Sequence, residues 1–417
     1  MKVCWVAPNG GQYLSTTHIG SGGWVAALEK ALVDSNSDIQ LSIIFPTSFT
    51  AKTKSVGAVT YHPIRFSANN KIAIFLRRIS SKFLTSLDNN FITDIYNKIE
   101  EINPDIVHVW GVENLYSRIV ERLDRPHVVH IQGFASSIYD HFLPSGVSPI
   151  TLRKYDGMLK HYILRQGLAY KYFDFKRRVD NELALVPYVD NWIGRTEWDR
   201  ATSACLNDSA HYFHCDELIR DEYKRDKWRY HYDGKLIISS IVGEELYKGI
   251  ELVLKTANIL KKRKIEFEWN LYGVGPESKI VKFFEHFTNI YARDVSVFYR
   301  GRRDPASLAK CLLNSDMYIH TSHIENSSNA IAEAMSIGMP IIAMCVGGNP
   351  TMLADEAGLL IQPNDPSVLA NNVCKLTNPE YACKIANNAY AKALERHDTQ
   401  SVVNALTNIY KTIIRNY

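Results

Sequence analysis

The chain is expected to fold as two Rossmann-like, doubly wound α/β domains in series, facing each other across a cleft. Three observations predict this. Its 417 residues exceed one ordinary α/β core and suit two domains of about 200 residues each. Short apolar runs alternate with amphipathic helical patterns through both halves, the rhythm of a parallel sheet wrapped by helices. The rhythm pauses at 215–234, a polar, charged and tyrosine-rich stretch of the kind that connects domains.

In the first half, strands are expected at 3–7, 41–45, 106–110, 128–132 and 192–194. The first helix starts near Gly22-Gly23 and carries Trp24, Ala27, Leu28, Ala31 and Leu32 on one face. In the second half, strands are expected at 236–242, 268–272, 295–299, 317–320 and 340–344, with helices starting near Tyr247, Pro276, Pro305 and Ser327. This sets expected boundaries: an N-terminal domain 1–214, a linker 215–234, a C-terminal domain 235–395, and a helix 396–417 packing back on the N-terminal domain. Ligands of such folds bind at the carboxyl ends of the strands, where strand order reverses.

Two segments of the first half stand apart. Segment 140–182 interleaves Arg153, Lys154, Lys160, Arg165, Lys171, Lys176, Arg177 and Arg178 with Tyr155, Tyr162, Tyr170, Tyr172, Phe173 and Phe175. Segment 71–87 sets Ile72, Phe75, Leu76, Ile79, Phe83 and Leu84 at helical spacing among Lys71, Arg77, Arg78 and Lys82. Such composition suits a helix on an anionic membrane, and equally a helix whose apolar face packs on the sheet. The packed reading is preferred for 71–87 and the membrane reading for 140–182.

Composition excludes several classes. Hydrophobic residues make up 46% and charged residues 22%, the balance of a soluble globular protein. A formal charge of +4 is too small at this size to call for a nucleic-acid partner. Seven cysteines without a CxxC pair read as reduced thiols, not as a disulfide or zinc framework. No apolar run reaches the roughly 18 residues of a membrane span, and the run before Pro8 is too short for a signal-peptide core. The expected location is the cytoplasm, or the inner face of the cell membrane as a peripheral protein.

The most informative stretch runs from His320 to Met335. It leaves a strand, passes through Glu325-Asn326-Ser327-Ser328 and enters an amphipathic helix that carries Glu333. Backbone N–H groups and the positive helix end then face the cleft, a seat for sugar hydroxyls or a phosphate. Two carboxylates eight positions apart can grip polyol groups at two depths of one pocket. The plainer alternative is a helix cap followed by an exposed helical glutamate.

Glu325 and Glu333, with Asn329-Ala330 before Glu333-Ala334-Met335, resemble the signature of retaining glycosyltransferase family four. The resemblance extends through 338–343, 346–350 and 358–360, and upstream through Lys248-Gly249 and 271–277. The N-terminal half resembles the family more weakly, in the glycine loop 20–23 and Pro104-Asp105-Ile106-Val107-His108. The family implies the GT-B fold and transfer of a sugar from a nucleotide-sugar donor with retention, the leaving phosphate assisting the acceptor. On matching positions it implies that Glu333 holds the ribose hydroxyls. Glu325, with the backbone of Asn326, Ser327 and Ser328, would hold the transferred sugar, and Lys248 would neutralise the departing diphosphate. The positive charge is needed because the leaving group gains negative charge as the anomeric bond breaks. Gly22 and Gly23 permit close approach of phosphates or acceptor. His108, Glu113 and Gln132 are expected on the acceptor side, although His108 also suits a core position.

Two departures stand out. Many family members carry an arginine five positions before the lysine, where this chain has Gly243; Arg195, after the strand 192–194, is either a cleft-reaching substitute on the donor side or a salt-bridged surface arginine. Many place a histidine where Gln132 stands. The two glutamates resemble grips on a donor and not the carboxyl pair, about 5 Å apart, of a retaining hydrolase. No metal and no cofactor are expected; the nucleotide-sugar is a substrate, and the acceptor a saccharide or lipid-linked saccharide. A nucleotide-sugar 2-epimerase and a non-catalytic nucleotide-sugar sensor are the alternatives. A dinucleotide dehydrogenase is disfavoured, because no complete GxGxxG follows the first strand.

Overall fold

The computed structural model describes residues 1–14, 23–35, 38–66, 81–157 and 167–417. It contains two parallel-sheet α/β domains. The first sheet is built from β1 (Lys2–Val6), β2 (Gln40–Thr47), β3 (Lys54–Val56), β4 (Val59–Arg65), β5 (Ile106–Trp110), β6 (His127–His130), β7 (Asn191–Gly194) and β8 (His211–His214). Its order is β3-β4-β2-β1-β5-β6-β7-β8, parallel except for the β3–β4 hairpin. The second sheet comprises β9 (Leu236–Ile241), β10 (Phe267–Tyr272), β11 (Val297–Gly301), β12 (Met317–His320), β13 (Ile341–Met344) and β14 (Leu359–Ile361). Its order is β11-β10-β9-β12-β13-β14, parallel throughout.

Strand order reverses between β1 and β5 in the first sheet and between β9 and β12 in the second. These are the crevices where such sheets take ligands. The strands beside them are buried on both faces: Ile106 to Trp110 and Met317 to His320 are buried throughout. Their near-continuous apolar runs are what a sheet covered on both sides requires.

Strands β3, β4, β8 and β14 go beyond the sequence reading. β3 and β14 have three residues each, too few to display a period. β4 carries Pro63, which argues against an interior strand. The hairpin partner β3 ends opposite Tyr61, however, so Pro63 lies where β4 has a free edge and its missing N–H costs no ladder bond. β11 starts two residues later than expected, because Val295 and Ser296 (φ 55°) still belong to the turn that precedes it.

The chain crosses between the domains more than once. Leu218 packs in the first domain's core, and Ile219, Tyr223 and Trp228 in the second's. Helix Thr399–Asn416 lays Val402, Val403, Leu406, Ile409, Tyr410 and Ile413 against Val3, Trp5 and Trp24. Segment 71–87 lies largely outside the described residues. The described part of 140–182 packs Phe142, Val147, Leu152, Leu168 and Ala169 into the second domain's core beside Phe283 and Phe284, with Tyr155 edge-on to Phe283 at 5.0 Å. Much of its apolar surface therefore joins the two domains. Of its cations, Lys176 pairs with Asp180 at 2.7 Å and Arg177 with Asp174.

Candidate active site

The site is built on the loops that leave β9 and β12. After β9 a short turn, Leu246–Lys248, ends at Gly249, whose left-handed backbone (φ 74°) turns the chain into helix Ile250–Lys262. A Cβ there would stand 2.0 Å from the Thr321 carbonyl, so only glycine lets the two loops meet. They are tied by Thr321 Oγ1 donating to the Lys248 carbonyl at 3.0 Å. Lys248 Nζ donates to Glu325 Oε1, and His320 Nε2 lies 3.2 Å from the same oxygen. His320 is set in turn by Tyr318, whose hydroxyl is 3.0 Å from Nδ1. Behind the loop, His323 Nε2 meets Glu251 Oε1 at 2.6 Å.

Burial opposes both charges of the central pair, but each partner outweighs it. Lys248 and His320 hold the Glu325 carboxyl well below the usual carboxylate range, and Glu325 holds the Lys248 ammonium above its usual range. Both groups are therefore charged in a pocket where little water screens them.

The stretch from Glu325 to Ser328 is pressed against the loop after β13. Gly348 N donates to the Glu325 carbonyl at 3.0 Å, and a Cβ on Gly347 or Gly348 would stand 1.8 Å from the carbonyl oxygen of Glu325 or Asn326. Thr196 Oγ1 donates to Asn326 Oδ1 at 3.3 Å, while Asn326 Nδ2 is buried with no partner among the described residues. Ser327 Oγ donates to Glu217 Oε2 at 2.9 Å, away from the pocket. Ser328 caps helix Asn329–Ile337 by accepting from Ile331 N.

Glu333 sits one turn into that helix and is 6% exposed. Its Oε1 accepts from Arg220 Nη2 at 2.5 Å. Burial raises its carboxyl, and Arg220 draws it part of the way back. Arg220 also abuts Gly23, the first residue of helix Gly23–Asp34, and lines an interdomain cavity of about 750 Å3 with Gly23, Lys30, Lys224 and Asp304. Gly22 lies outside the described residues.

Arg195 occupies a different place from the one expected. It is 2% exposed, with its guanidinium over the Trp24 ring at 4.6 Å, Nη2 donating to the Ile131 carbonyl at 3.2 Å and Nη1 3.9 Å from Glu217. Its own carbonyl accepts from Arg396 Nη2 at 2.8 Å. This arginine belongs to the buried joint between the domains and not to the wall beside Lys248. The reading of a strand-end arginine as cleft-facing failed because Glu217 and Arg396, distant in sequence, close over it.

His108 is likewise drawn inward. It is fully buried, its Nδ1 2.6 Å from Tyr410 Oη and its Nε2 3.2 Å from His130 Nδ1, and it stacks on Trp110 at 4.4 Å. Burial lowers its pKa to about 3, so it is neutral. The core reading of His108 therefore replaces the acceptor-side one. Glu113 folds back over Gly111 at the end of β5, accepts from Asn114 Nδ2 at 3.2 Å, and has Oε2 buried without a partner among the described residues. Burial raises its pKa to about 7. Gln132 follows β6, half-buried, with Nε2 3.5 Å from the His130 carbonyl.

The described residues contain no cluster of three or more His, Cys, Asp or Glu side chains able to hold a metal, and no helix long and apolar enough to cross a membrane.

Residues 236–378 match the sequence profile of the family described as Glycosyl transferases group 1. The chain is similar to the poly(ribitol-phosphate) alpha-N-acetylglucosaminyltransferase of Staphylococcus aureus, 23% identical over 186 residues. That stretch is 44% of this chain and 36% of the relative, so the match spans little more than a third of that protein. In three dimensions it is similar to the sucrose-phosphate synthase of Thermosynechococcus elongatus, with a TM-score of 0.71 at 15% identity over 100% of both chains. A further similar structure is the E. coli trehalose-6-phosphate protein bound with UDP-2-fluoro glucose, with a TM-score of 0.66 at 9% identity over 99% of both chains. Residues 236–378 thus match the profile of the group 1 glycosyl transferases, and the chain as a whole has the two-domain GT-B fold of these solved structures.

Proposed function

We propose that the chain is a retaining glycosyltransferase, moving a sugar from a nucleotide-diphosphate-sugar to a saccharide or lipid-linked saccharide in the synthesis of a bacterial surface polysaccharide. The observation that carries this reading is the Lys248–Glu325 pair at the β9–β12 reversal, with Glu325 eight positions before Glu333, which stands on the helix that follows its loop. A fixed ammonium at that point can stabilise the diphosphate as it leaves, and a preorganised cation needs no reorganisation during the reaction. Glu325, already bound by Lys248 and His320, suits a hydrogen-bond acceptor for sugar hydroxyls better than a covalent nucleophile. Glu333 takes the ribose, and the backbone of Asn326, Ser327 and Ser328 lines the sugar subsite. Glu113 and Gln132, at the first sheet's carboxyl edge, face the acceptor. The diphosphate is met by cations and helix ends, so no metal is required.

The acceptor side draws further support from the exposed Ile150, Leu183 and Tyr188, which lie near the exposed Lys171, Lys176 and Arg177 in sequence. That combination suits peripheral binding at the cytoplasmic face of an anionic membrane. A thermal-shift panel of nucleotide-sugars, followed by transfer assays with the stabilising donor, tests the activity. Stabilisation and transfer support it; donor epimerised without acceptor points to the 2-epimerase, and binding with neither transfer nor slow hydrolysis points to a sensor. Co-sedimentation with anionic and neutral vesicles tests the membrane arm, which requires salt-sensitive binding to the anionic ones.

A further inference from the structure

We propose that Arg220 holds the donor's diphosphate, exchanging its ion pair with Glu333 for the phosphate as the ribose hydroxyls take the carboxylate. The proposal rests on the donor reading above and supplies a cation that reading lacks. Position 243 carries glycine, and a Cβ there would lie 3.9 Å from Lys248 Cε. The space beside Lys248 where a second cation would project therefore holds no side chain, while Lys248 itself is committed to Glu325. Arg195 is enclosed between Trp24, Ile131 and Glu217.

Arg220 has the required position and freedom. One end of its guanidinium meets Glu333 at 2.5 Å, and its side chain is 26% exposed. Its flank lies against Gly23: a Cβ on that glycine would stand 3.0 Å from Arg220 Cζ and Nε. Glycine thus gives the guanidinium room at the amino end of a 12-residue helix, where the first-turn N–H groups and the helix dipole favour an anion. The guanidinium spans the gap from the ribose-binding carboxylate to that helix end. A phosphate on the ribose 5′ oxygen would enter that gap. The Tyr223 ring, 5.5 Å below the guanidinium, supports the cation without taking its donors. The planar fork of arginine suits two phosphate oxygens as well as it suits a carboxylate, so the exchange keeps its hydrogen bonds.

The exchange predicts a split between ligands. Wild type, Arg220→Gln and Arg220→Lys, as full chains, are titrated calorimetrically with UDP, GDP, ADP and dTDP and with the corresponding nucleosides. For the base that wild type binds, Arg220→Gln should weaken the diphosphate about tenfold or more, with Arg220→Lys recovering part of the loss. The nucleoside should bind Arg220→Gln as well as wild type, or better, because Glu333 is uncovered. Equal weakening of both ligands would make Arg220 a mere support for Glu333, and an unchanged diphosphate affinity would remove it from the site; either result overturns the proposal. Wild type that binds none of the eight ligands would overturn the donor reading itself, a result distinct from both.

Discussion

Lys248 and Glu325, 77 residues apart in the chain, meet in an ion pair at the β9–β12 reversal, with His320 on the same carboxylate oxygen. Neither charge is cheap to bury: Glu325 offsets the cost for Lys248, and Lys248 with His320 offsets it for Glu325. Removing the lysine therefore has two separable effects. Lys248→Ala should slow transfer by about 10²-fold or more, the scale of one preorganised electrostatic contact. It should also lower the melting temperature, because Glu325 is left buried beside a single histidine. The double variant Lys248→Ala/Glu325→Gln should regain most of that stability and none of the rate. Melting curves beside single-turnover rates check both; a double variant as unstable as the single would show that the pair is not the source.

The same pair carries a pH signature. Glu325 has a folded pKa below its unfolded value of about 4.3, so its stabilisation is complete above that pH and is withdrawn as acid protonates the unfolded chain first. Glu325→Gln should thus flatten the acid limb of the stability profile below about pH 4.3 while leaving its shape near neutrality unchanged. Urea melts between pH 3 and 7 read this directly.

The loop that presents Glu325 depends on glycine at 348. A Cβ would meet the Asn326 carbonyl at 1.8 Å, a contact that only displacement can relieve. Gly348→Ala should cost about 1–3 kcal/mol, the range of overpacking, and should move Asn326 and Ser327 from their positions. Donor affinity should fall with it, whereas Gly275→Ala, where a Cβ meets nothing within 4 Å, should be silent in both assays.

The residues most legible in the sequence are those whose surroundings are local. Lys248 precedes the glycine that starts its helix, and the 325–333 stretch reads from strand end to cap to helix within a dozen positions. Arg220 could not be found that way. It lies in an aperiodic connector and acquires meaning only from Glu333, 113 residues away. Arg195 misled for the converse reason: it stands just past the end of β7, where a polar side chain reads as cleft-facing, whereas His108, in the middle of β5, also suited the core it occupies. The covering groups, Arg396, Glu217 and Tyr410, come from the far end of the chain or the linker. The architecture survived these errors because a doubly wound sheet depends on alternation of apolar runs, which short edge strands such as β3 and β14 barely perturb.

The core role of His108 makes its own prediction. Tyr410 accepts from Trp5 Nε1 at 3.0 Å and meets His108 Nδ1, so Tyr410→Phe leaves buried polar groups unpaired at a cost of about 1–3 kcal/mol. Kinetic constants for donor and acceptor should be unchanged. His108 and His130 are both held neutral by burial, their folded pKa values below the unfolded value of about 6.5. The unfolded chain therefore takes up protons first as pH falls through about 6.5, and stability should decline from there downward. His108→Asn should flatten this decline, so a variant profile parallel to that of wild type from pH 7 to 5 would contradict the assignment.

Glu113 has the opposite sign. Burial beneath its own loop raises its pKa to about 7, above the unfolded value of about 4.3. Between those values the unfolded chain loses its proton while the folded chain keeps one, so this group makes stability fall as pH rises through the window. Glu113→Gln removes the titration and should be more stable than wild type at pH 8 but not at pH 4. Its position after β5, at the first sheet's reversal, gives the same proton a second readout. If its carboxyl meets the acceptor, the acceptor KM should change across pH 7 in wild type and lose that change in Glu113→Gln, with donor affinity unaffected. Glu29, also raised to about 7 but hydrogen-bonded to Tyr61 and buried under Gly11, provides the control. Glu29→Gln should shift the stability profile alone. A KM profile altered equally by both variants would mean that stability, and not acceptor contact, is being read.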